Sequence, residues 1–354
     1  MDAPRLLAAA TTHEFIQRLV DGVPSELGTL VRTMVGQVTI AGEADSASPA
    51  FVGPCPWAAQ VLSLCCAAYE YPSKRIVPIA AALELLGIVS CGLDAAQDRD
   101  QVSLQYYGTS FTDTHTYHQH SQTQIALISN AAVALIGLAW QALLEYGPPY
   151  GIPSTILIEI GQLLAARWSS ICQAQHQDLT VGRTLLSLGS YMEIVTGKAG
   201  VIGGTICEAG AILAGCSAHD RALWYQLGLE RTIAQQLCDD CRDLDQDLAT
   251  GQQLSLPVLY GLEVAEPSTR LIIERLIVQS RGDSPAATAA RRHLISLIEE
   301  LGAAHYAAQC QVEQQRAAIA VLRDLALPPI IETALQRWVA DVSPPILVNT
   351  THSY

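Results

Sequence analysis

The stretch Gln235–Asp247, QQLCDDCRDLDQD, carries two overlapping motifs. Cys238 and Cys241 stand at the C-x-x-C spacing of a redox pair or half a zinc site. Asp239, Asp240 and Asp243 stand at the D-D-x-x-D spacing of a carboxylate cluster for hard cations. In a helix, residues i and i+4 share a face, so Asp239 and Asp243 project together with Asp240 beside them. Three like charges there destabilise a helix unless cations bridge them. Oxygen donors without imidazole suit Mg2+ held jointly with phosphate oxygens. The same spacing rule sets the two cysteines side by side. Redox pairs, however, usually begin a helix after a strand, and no second C-x-x-C completes a zinc site. The cysteines are read as helix packing and the aspartates as the functional groups.

A second acidic cluster lies upstream. Leu83–Asp100 reads LELLGIVSCGLDAAQDRD, with Asp94 and Asp98 four residues apart at the end of an apolar helix. Alone, this would be a solvated helix end. Two such clusters, each closing a long apolar helix, can face each other across a cavity and hold metal ions against a diphosphate.

The elements that must position these groups are helices. Apolar residues recur at three and four along Ala58–Tyr69, Val77–Gly92, Ile125–Leu144, Ile152–Gln177, Tyr191–Gly215, Leu223–Leu248, Ser268–Val278 and Ala286–Ala326. Alternating strand patterns are not evident, and Pro and Gly punctuate the gaps. The expectation is an all-α chain of about ten helices or more, a single domain over residues 1–354 with 1–24 and 343–354 as peripheral tails. The polar segment Gln101–Gln122, with His115, His118 and His120, reads as a lid or loop rather than a zinc site.

Composition narrows the partners. Half of the 354 residues are hydrophobic, and 20 basic residues against 34 acidic ones leave a net charge of −14. Nucleic acid is excluded as a partner, because phosphate binding needs clustered Lys and Arg. Only Lys74 and Lys198 are lysines. The start, MDAPRLLAAATTHEF, lacks the basic and apolar regions of a signal peptide, which points to a cytoplasmic protein whose ten cysteines are reduced and packed as small hydrophobes. Gln124–Leu144 is uncharged for 21 residues and long enough to span a membrane. With Gln124, Asn130 and Gln141 inside it and no basic flank, it reads as a core helix buried on every side, without stable membrane insertion.

At this point the chain resembles the trans-isoprenyl diphosphate synthases, the polyprenyl synthetase family, and the class I terpene synthases that share their fold. The family's LELIHxxSLIHDDxxD is followed by Leu83–Asp98. Its Q-x-x-D-L matches Gln175–Leu179, and YLxxIxxKTAxL with its small-residue helix matches residues 191–215. QxxDDxxD matches Gln236–Asp243, and DLxxGKxTLP matches residues 247–257, one residue longer. The likeness runs from about residue 25 to about residue 342, through these motifs in order. It implies the isoprenoid synthase fold, one large helical bundle around a deep apolar cavity. It further implies an allylic diphosphate substrate, a homodimer, and Mg2+ at roughly three ions per site. Metal ligands would be Asp94, Asp98, Asp239 and Asp243, with Asp240 and Lys198 completing the catalytic set. Lys198 falls at the family's diphosphate-binding lysine; Gln175, Gln236 and Arg242 would contact the substrate, and Gly87, Val89 and Ser90 would line its chain.

The departures are as informative. Where elongating synthases carry GKRxRP, this chain has FVGPCP at 51–56. Only Arg99 follows the first motif, the lysine of GKxTLP is Gln252, and Ala95 takes the place of the second aspartate. The allylic site reads as kept and the second diphosphate site as lost, since an unpaired polyanion is costly to bind. Three readings follow: a terpene synthase that ionises one allylic diphosphate and then cyclises or eliminates; a prenyltransferase to an acceptor other than isopentenyl diphosphate; and a non-catalytic synthase subunit. The first is preferred. Trp57, Trp168, Tyr191 and Trp224 are its candidates for stabilising a carbocation.

Overall fold

The computed structural model describes residues 2–40, 57–98, 117–180, 186–251, 255–282 and 284–342. Every regular element among them is helical. In chain order these are α1 (Asp2–Asp21), α2 (Ser25–Ile40), α3 (Trp57–Ala68), α4 (Val77–Asp98), α5 (Tyr117–Leu144), α6 (Ser154–Thr180), α7 (Leu188–Val195) and α8 (Val201–Leu213). Then come α9 (Ala218–Arg242), α10 (Leu244–Thr250), α11 (Leu256–Val264), α12 (Pro267–Gln279), α13 (Pro285–Glu300), α14 (Ala303–Asp324) and α15 (Pro329–Ala340). A π-turn, Thr196–Gly200, links α7 to α8. The chain divides into two compact units. The first comprises Met1–Trp168, Gly204–Tyr225 and Leu322–Arg337, the second Ser169–Gly203, Gln226–Val321 and Trp338–Tyr354.

In the first unit, α4 packs chiefly along α5, with α1, α2 and α3 around it. Ile79, Leu85 and Val89 of α4 are fully buried, as are Ile128, Leu135 and Leu143 of α5. One charged group interrupts the apolar run of α4. Glu84 Oε1 accepts the backbone N–H of Ala58 and so caps α3, whose first N–H groups have no helical partner. Burial pushes the Glu84 carboxyl up to about 7.

Two sequence expectations are corrected here. Residues 2–21 are not a peripheral tail but the helix α1, which buries Phe15, Ile16, Leu19 and Val20 against its neighbours. Phe15 meets Tyr146 and Tyr150 edge-on at 5.3 and 6.0 Å. The apolar residues at i, i+1, i+4 and i+5 form the stripe that docks it. Second, α5 is buried on one side only: Val133 and Leu144 remain 65% and 54% exposed. By length and composition, Ser73–Gln97 and Gln122–Leu144 could each cross a membrane; the first is mostly buried inside the fold, the second only 39%.

The second unit is organised around Leu237, Cys241, Leu244, Leu256, Leu259, Ile273, Leu294 and Ile298. Arg291 is buried in it, donating to the carbonyls of Ser280 and Gly282 at 2.7 and 2.6 Å and to Asp245 at 3.3 Å. It thereby satisfies carbonyls at the end of α12 and ties α13 to α10. The nine described cysteines are free thiols; six are buried, whereas Cys91 and Cys172 are exposed rather than packed.

Candidate functional site

The site-forming residues of the second unit come from the end of α9. Leu237, Cys238 and Cys241 face the core, which leaves the carboxylates on the other side of the helix. Burial drives the Cys241 thiol pKa well up, so it stays protonated; both cysteines are packing groups. The helix stops at Arg242, and Asp243, at φ −90° and ψ 2°, turns the chain into α10.

The three aspartates divide their roles. Asp240 Oδ2 accepts the Tyr191 hydroxyl, and its Oδ1 accepts Gln236 Nε2 at 2.7 Å. Burial pushes its carboxyl up to about 6, with these two donors opposing the shift. Asp239 Oδ1 accepts Gln235 Nε2 at 2.9 Å and Arg242 Nη2 at 2.5 Å. Arg242 Nε also lies 3.4 Å from Asp243 Oδ1. Burial raises Asp239 and Asp243 above the ordinary carboxylate range, and the Arg242 guanidinium pulls both back. Asp240 is therefore fixed by protein donors, while Asp239 and Asp243 share one cation.

The chain from α7 to α8 runs antiparallel to α9. Tyr191 meets Asp240 at one end. Further along, a Cβ on Gly200 would lie 3.0 Å from Ile233, and one on Gly203 would lie 1.9 Å from Thr232 Oγ1. Those glycines let the two backbones approach. Between these contacts sits the π-turn with Lys198, an irregularity often found at functional sites. Gly197 abuts Ala174 of α6, where a Cβ would come within 2.6 Å. The Lys198 ammonium donates to Asp178 Oδ2 at 2.7 Å; the Asp178 side chain is 2% exposed and that of Lys198 25%. One turn before Asp178, Gln175 buries both its Oε1 and Nε2 with no hydrogen-bond partner among the described residues. Such a group costs about 1–3 kcal/mol of desolvation and calls for a ligand or water.

The predicted residues thus fall in two places. Gln175, Lys198, Gln236, Asp239, Asp240, Arg242 and Asp243 belong to the second unit; Gly87, Val89, Ser90, Asp94 and Asp98 belong to α4 in the first. Asp94 is half-buried on the last turn of α4, and Ala95 beside it is buried. Asp98 ends the helix, its side chain outside the described residues. Val89 is fully buried, and a Cβ on Gly87 would meet no atom within 4 Å. Residues 51–56, Arg99, His115, Gln252 and 343–354 lie outside the described residues, as do the side chains of His118 and His120.

Gln236 and Tyr191 turn to Asp240 instead of standing free. Trp224 is fully buried with Nε1 donating to Tyr69 at 3.0 Å, so it is a packing residue and offers no face to a carbocation. Asp178 is the aspartate of the Q-x-x-D-L match at Gln175–Leu179, and its buried place in an otherwise polar helix end marks it only once Lys198 is seen against it.

Among the described residues, no three His, Cys, Asp or Glu side chains gather into a metal-holding group. A divalent cation would rest on one or two carboxylates and on the oxygens of its ligand. That is how Mg2+ is commonly bound together with phosphates, and the all-oxygen donors Asp239 and Asp243 fit it.

A family profile described as polyprenyl synthetase matches residues 113–291. The chain belongs to the polyprenyl synthetase family. Among curated proteins it is similar to a geranylgeranyl diphosphate synthase of Mycobacterium tuberculosis, 27% identical over 174 residues. That match covers 45% of this chain and 47% of the relative, about half its length. Among solved structures, it superposes on a polyprenyl synthetase from Streptomyces coelicolor A3(2) with a TM-score of 0.74 and 20% identity, covering 96% and 99% of the two chains. A Caulobacter crescentus polyprenyl synthase, complexed with calcium and isoprenyl diphosphate, gives 0.74 and 18% over 98% of each chain. At these identities the structures establish the fold, and the all-α isoprenoid synthase class is the one observed.

Proposed function

We propose that the chain ionises an allylic polyprenyl diphosphate of roughly fifteen to twenty carbons or longer, each extra buried methylene adding about 0.8 kcal/mol of binding. The allylic cation then cyclises or loses a proton. The observation that carries this reading is the Lys198 ammonium, seated in a π-turn against buried Asp178 on the helix pair that ends in Asp239 and Asp240. Asp178 holds Lys198 in place, Lys198 and the unpartnered Gln175 receive the diphosphate, and Tyr191 and Gln236 keep Asp240 in position. Mg2+, at roughly three ions, would neutralise the departing diphosphate when held by Asp239, Asp243, Asp94 and Asp98. The calcium and isoprenyl diphosphate of the Caulobacter structure support that pairing of ligands.

The named relatives are a geranylgeranyl diphosphate synthase, a polyprenyl synthetase and a polyprenyl synthase. The one-substrate reading rests on sequence: FVGPCP at 51–56 and Gln252 offer a second diphosphate no cation. The same loss favours prenyl transfer to another acceptor as the second reading. We propose a cytoplasmic homodimer as its working form.

Incubation with geranyl, farnesyl and geranylgeranyl diphosphates plus Mg2+, with and without isopentenyl diphosphate, tests this. A cyclised or eliminated product from one substrate alone is expected. Elongated products would make the chain a conventional synthase, and diphosphate release only with an added acceptor would make it a transferase. The open space at Gly87 supports a long channel beneath Asp94; Gly87→Phe and Ser90→Phe should shorten the preferred chain. A wild-type optimum at geranyl diphosphate would remove the deep channel.

A further inference from the structure

Arg242 occupies an unexpected place. It stands inside the acidic motif, three residues after Asp239 and directly before Asp243, and its guanidinium touches both carboxylates, 2.5 Å from Asp239 Oδ1 and 3.4 Å from Asp243 Oδ1. Asp240 is instead taken by Tyr191 and Gln236, while Asp239 keeps Gln235 beside the guanidinium. We infer that Arg242 is a built-in counter-cation that a divalent metal must displace from Asp239 and Asp243, and that the displaced guanidinium then receives the diphosphate. The inference rests on the function proposed above.

Three observations support it. First, the exchange is sterically open: the Arg242 side chain is 36% exposed, Asp239 27% and Asp243 53%, so the guanidinium can swing into solvent without breaking a core contact. Second, Asp239 is not abandoned when it does, since Gln235 Nε2 donates to the same Oδ1 at 2.9 Å and keeps the carboxylate oriented. Third, Arg231, another arginine whose charge acts on Asp239, is held in the interior. It stands two turns earlier on α9 and lies 5.2 Å over the Trp338 ring. Guanidinium and metal would draw on the same two carboxylates, and two cations crowded on them repel each other. Once free, an Arg presents a planar fork that matches phosphate oxygens, which makes it a fit partner for the very ligand that brings the metal in. The device keeps three aspartates tolerable on one helix face before the metal arrives. It also makes metal and diphosphate binding mutually supporting.

The two effects have opposite signs in one variant, and that is the test. In the full chain, Mn2+ alone is titrated by calorimetry or electron paramagnetic resonance into wild type, Arg242→Gln, Arg242→Lys and Asp239→Asn. Arg242→Gln should bind Mn2+ about three- to ten-fold more tightly, the size expected for removing one partly exposed competing charge. With Mg2+ saturating, it should bind inorganic pyrophosphate several-fold more weakly than wild type does. Arg242→Lys should fall between the two. Equal or weaker Mn2+ binding by folded Arg242→Gln overturns the inference and leaves the proposed function standing. Mn2+ binding that Asp239→Asn does not reduce removes the metal assignment and the inference together. Should the glutamine variant not fold, the wild type answers by nuclear magnetic resonance. The Arg242 Nε–H signal, assigned by its loss in Arg242→Lys, should move on Mg2+ saturation, and a signal that stays put overturns the inference.

Discussion

In the second unit each aspartate of the D-D-x-x-D has a neighbour assigned to it. Tyr191 and Gln236 hold Asp240, Gln235 and Arg242 hold Asp239, and Arg242 reaches Asp243. In the first unit the corresponding turn of α4 carries Asp94 and Asp98, with the buried methyl of Ala95 where a second carboxylate would stand. The difference lies in the number of carboxylates, three in one motif and two in the other. More oxygen donors hold a hard cation better, so we propose the second motif as the primary anchor and the first as an accessory.

The largest expected effect breaks or confirms that ranking. Asp239→Asn should lower kcat/KM by about 10²–10³-fold while the protein stays folded, since it removes a charge from a partly buried site. Asp94→Asn should cost about tenfold. Equal losses in a steady-state comparison would erase the asymmetry.

Next comes a contrast between buried carboxylates that titrate in the two units. Burial holds Glu84 near 7 against an ordinary 4.5. Its folded pKa is raised, so its stabilising contribution is complete below pH about 4.5 and is lost as pH rises through about 7. Glu84→Gln keeps an acceptor for Ala58 without the charge. The variant should melt higher than wild type at pH 8, by about 2–3 kcal/mol of stability, and the gap should close toward pH 5. Parallel melting curves across that range would show that the carboxyl is not strained by burial.

Smaller still is Tyr191→Phe. It strips Asp240 Oδ2 of a donor and should cost about 1–1.5 kcal/mol of stability and up to about tenfold in kcat/KM. Rescue of stability without rescue of activity in Asp240→Asn on the Tyr191→Phe background would sharpen the claim that this pair positions the neighbouring ligands. The least effect is expected from Cys238→Ala with Cys241→Ala: activity within about two-fold, insensitivity to zinc chelators, and about 1–2 kcal/mol of packing lost. Dependence of turnover on the thiols would return the C-x-x-C to the chemistry.

Much of this was legible along the chain. The helical class and both acidic clusters follow from spacing at three and four, Lys198 stands out by the rarity of lysine, and the structure puts each on a helix or helical turn. The stripe of Phe15, Ile16, Leu19 and Val20 was also legible, but an Ala- and Thr-rich start masked it, and α1 was misread as a tail. The exposed side of α5 was misread for a different reason. Its residues are apolar all round, so periodicity carries no information about which side meets protein.

The sequence by itself determined which groups could bind a cation and a diphosphate, because helical spacing is local and places Asp239, Asp240 and Asp243 together whatever the rest of the chain does. Only the tertiary structure decided how they divide the work. Tyr191 reaches Asp240 across 49 residues and Lys198 reaches Asp178 across 20, pairings that depend on glycine-lined helix contacts rather than on spacing. Burial then does what no motif records. It leaves Gln175 without a partner among the described residues, holds Asp240 near 6, and sets Arg242 between Asp239 and Asp243.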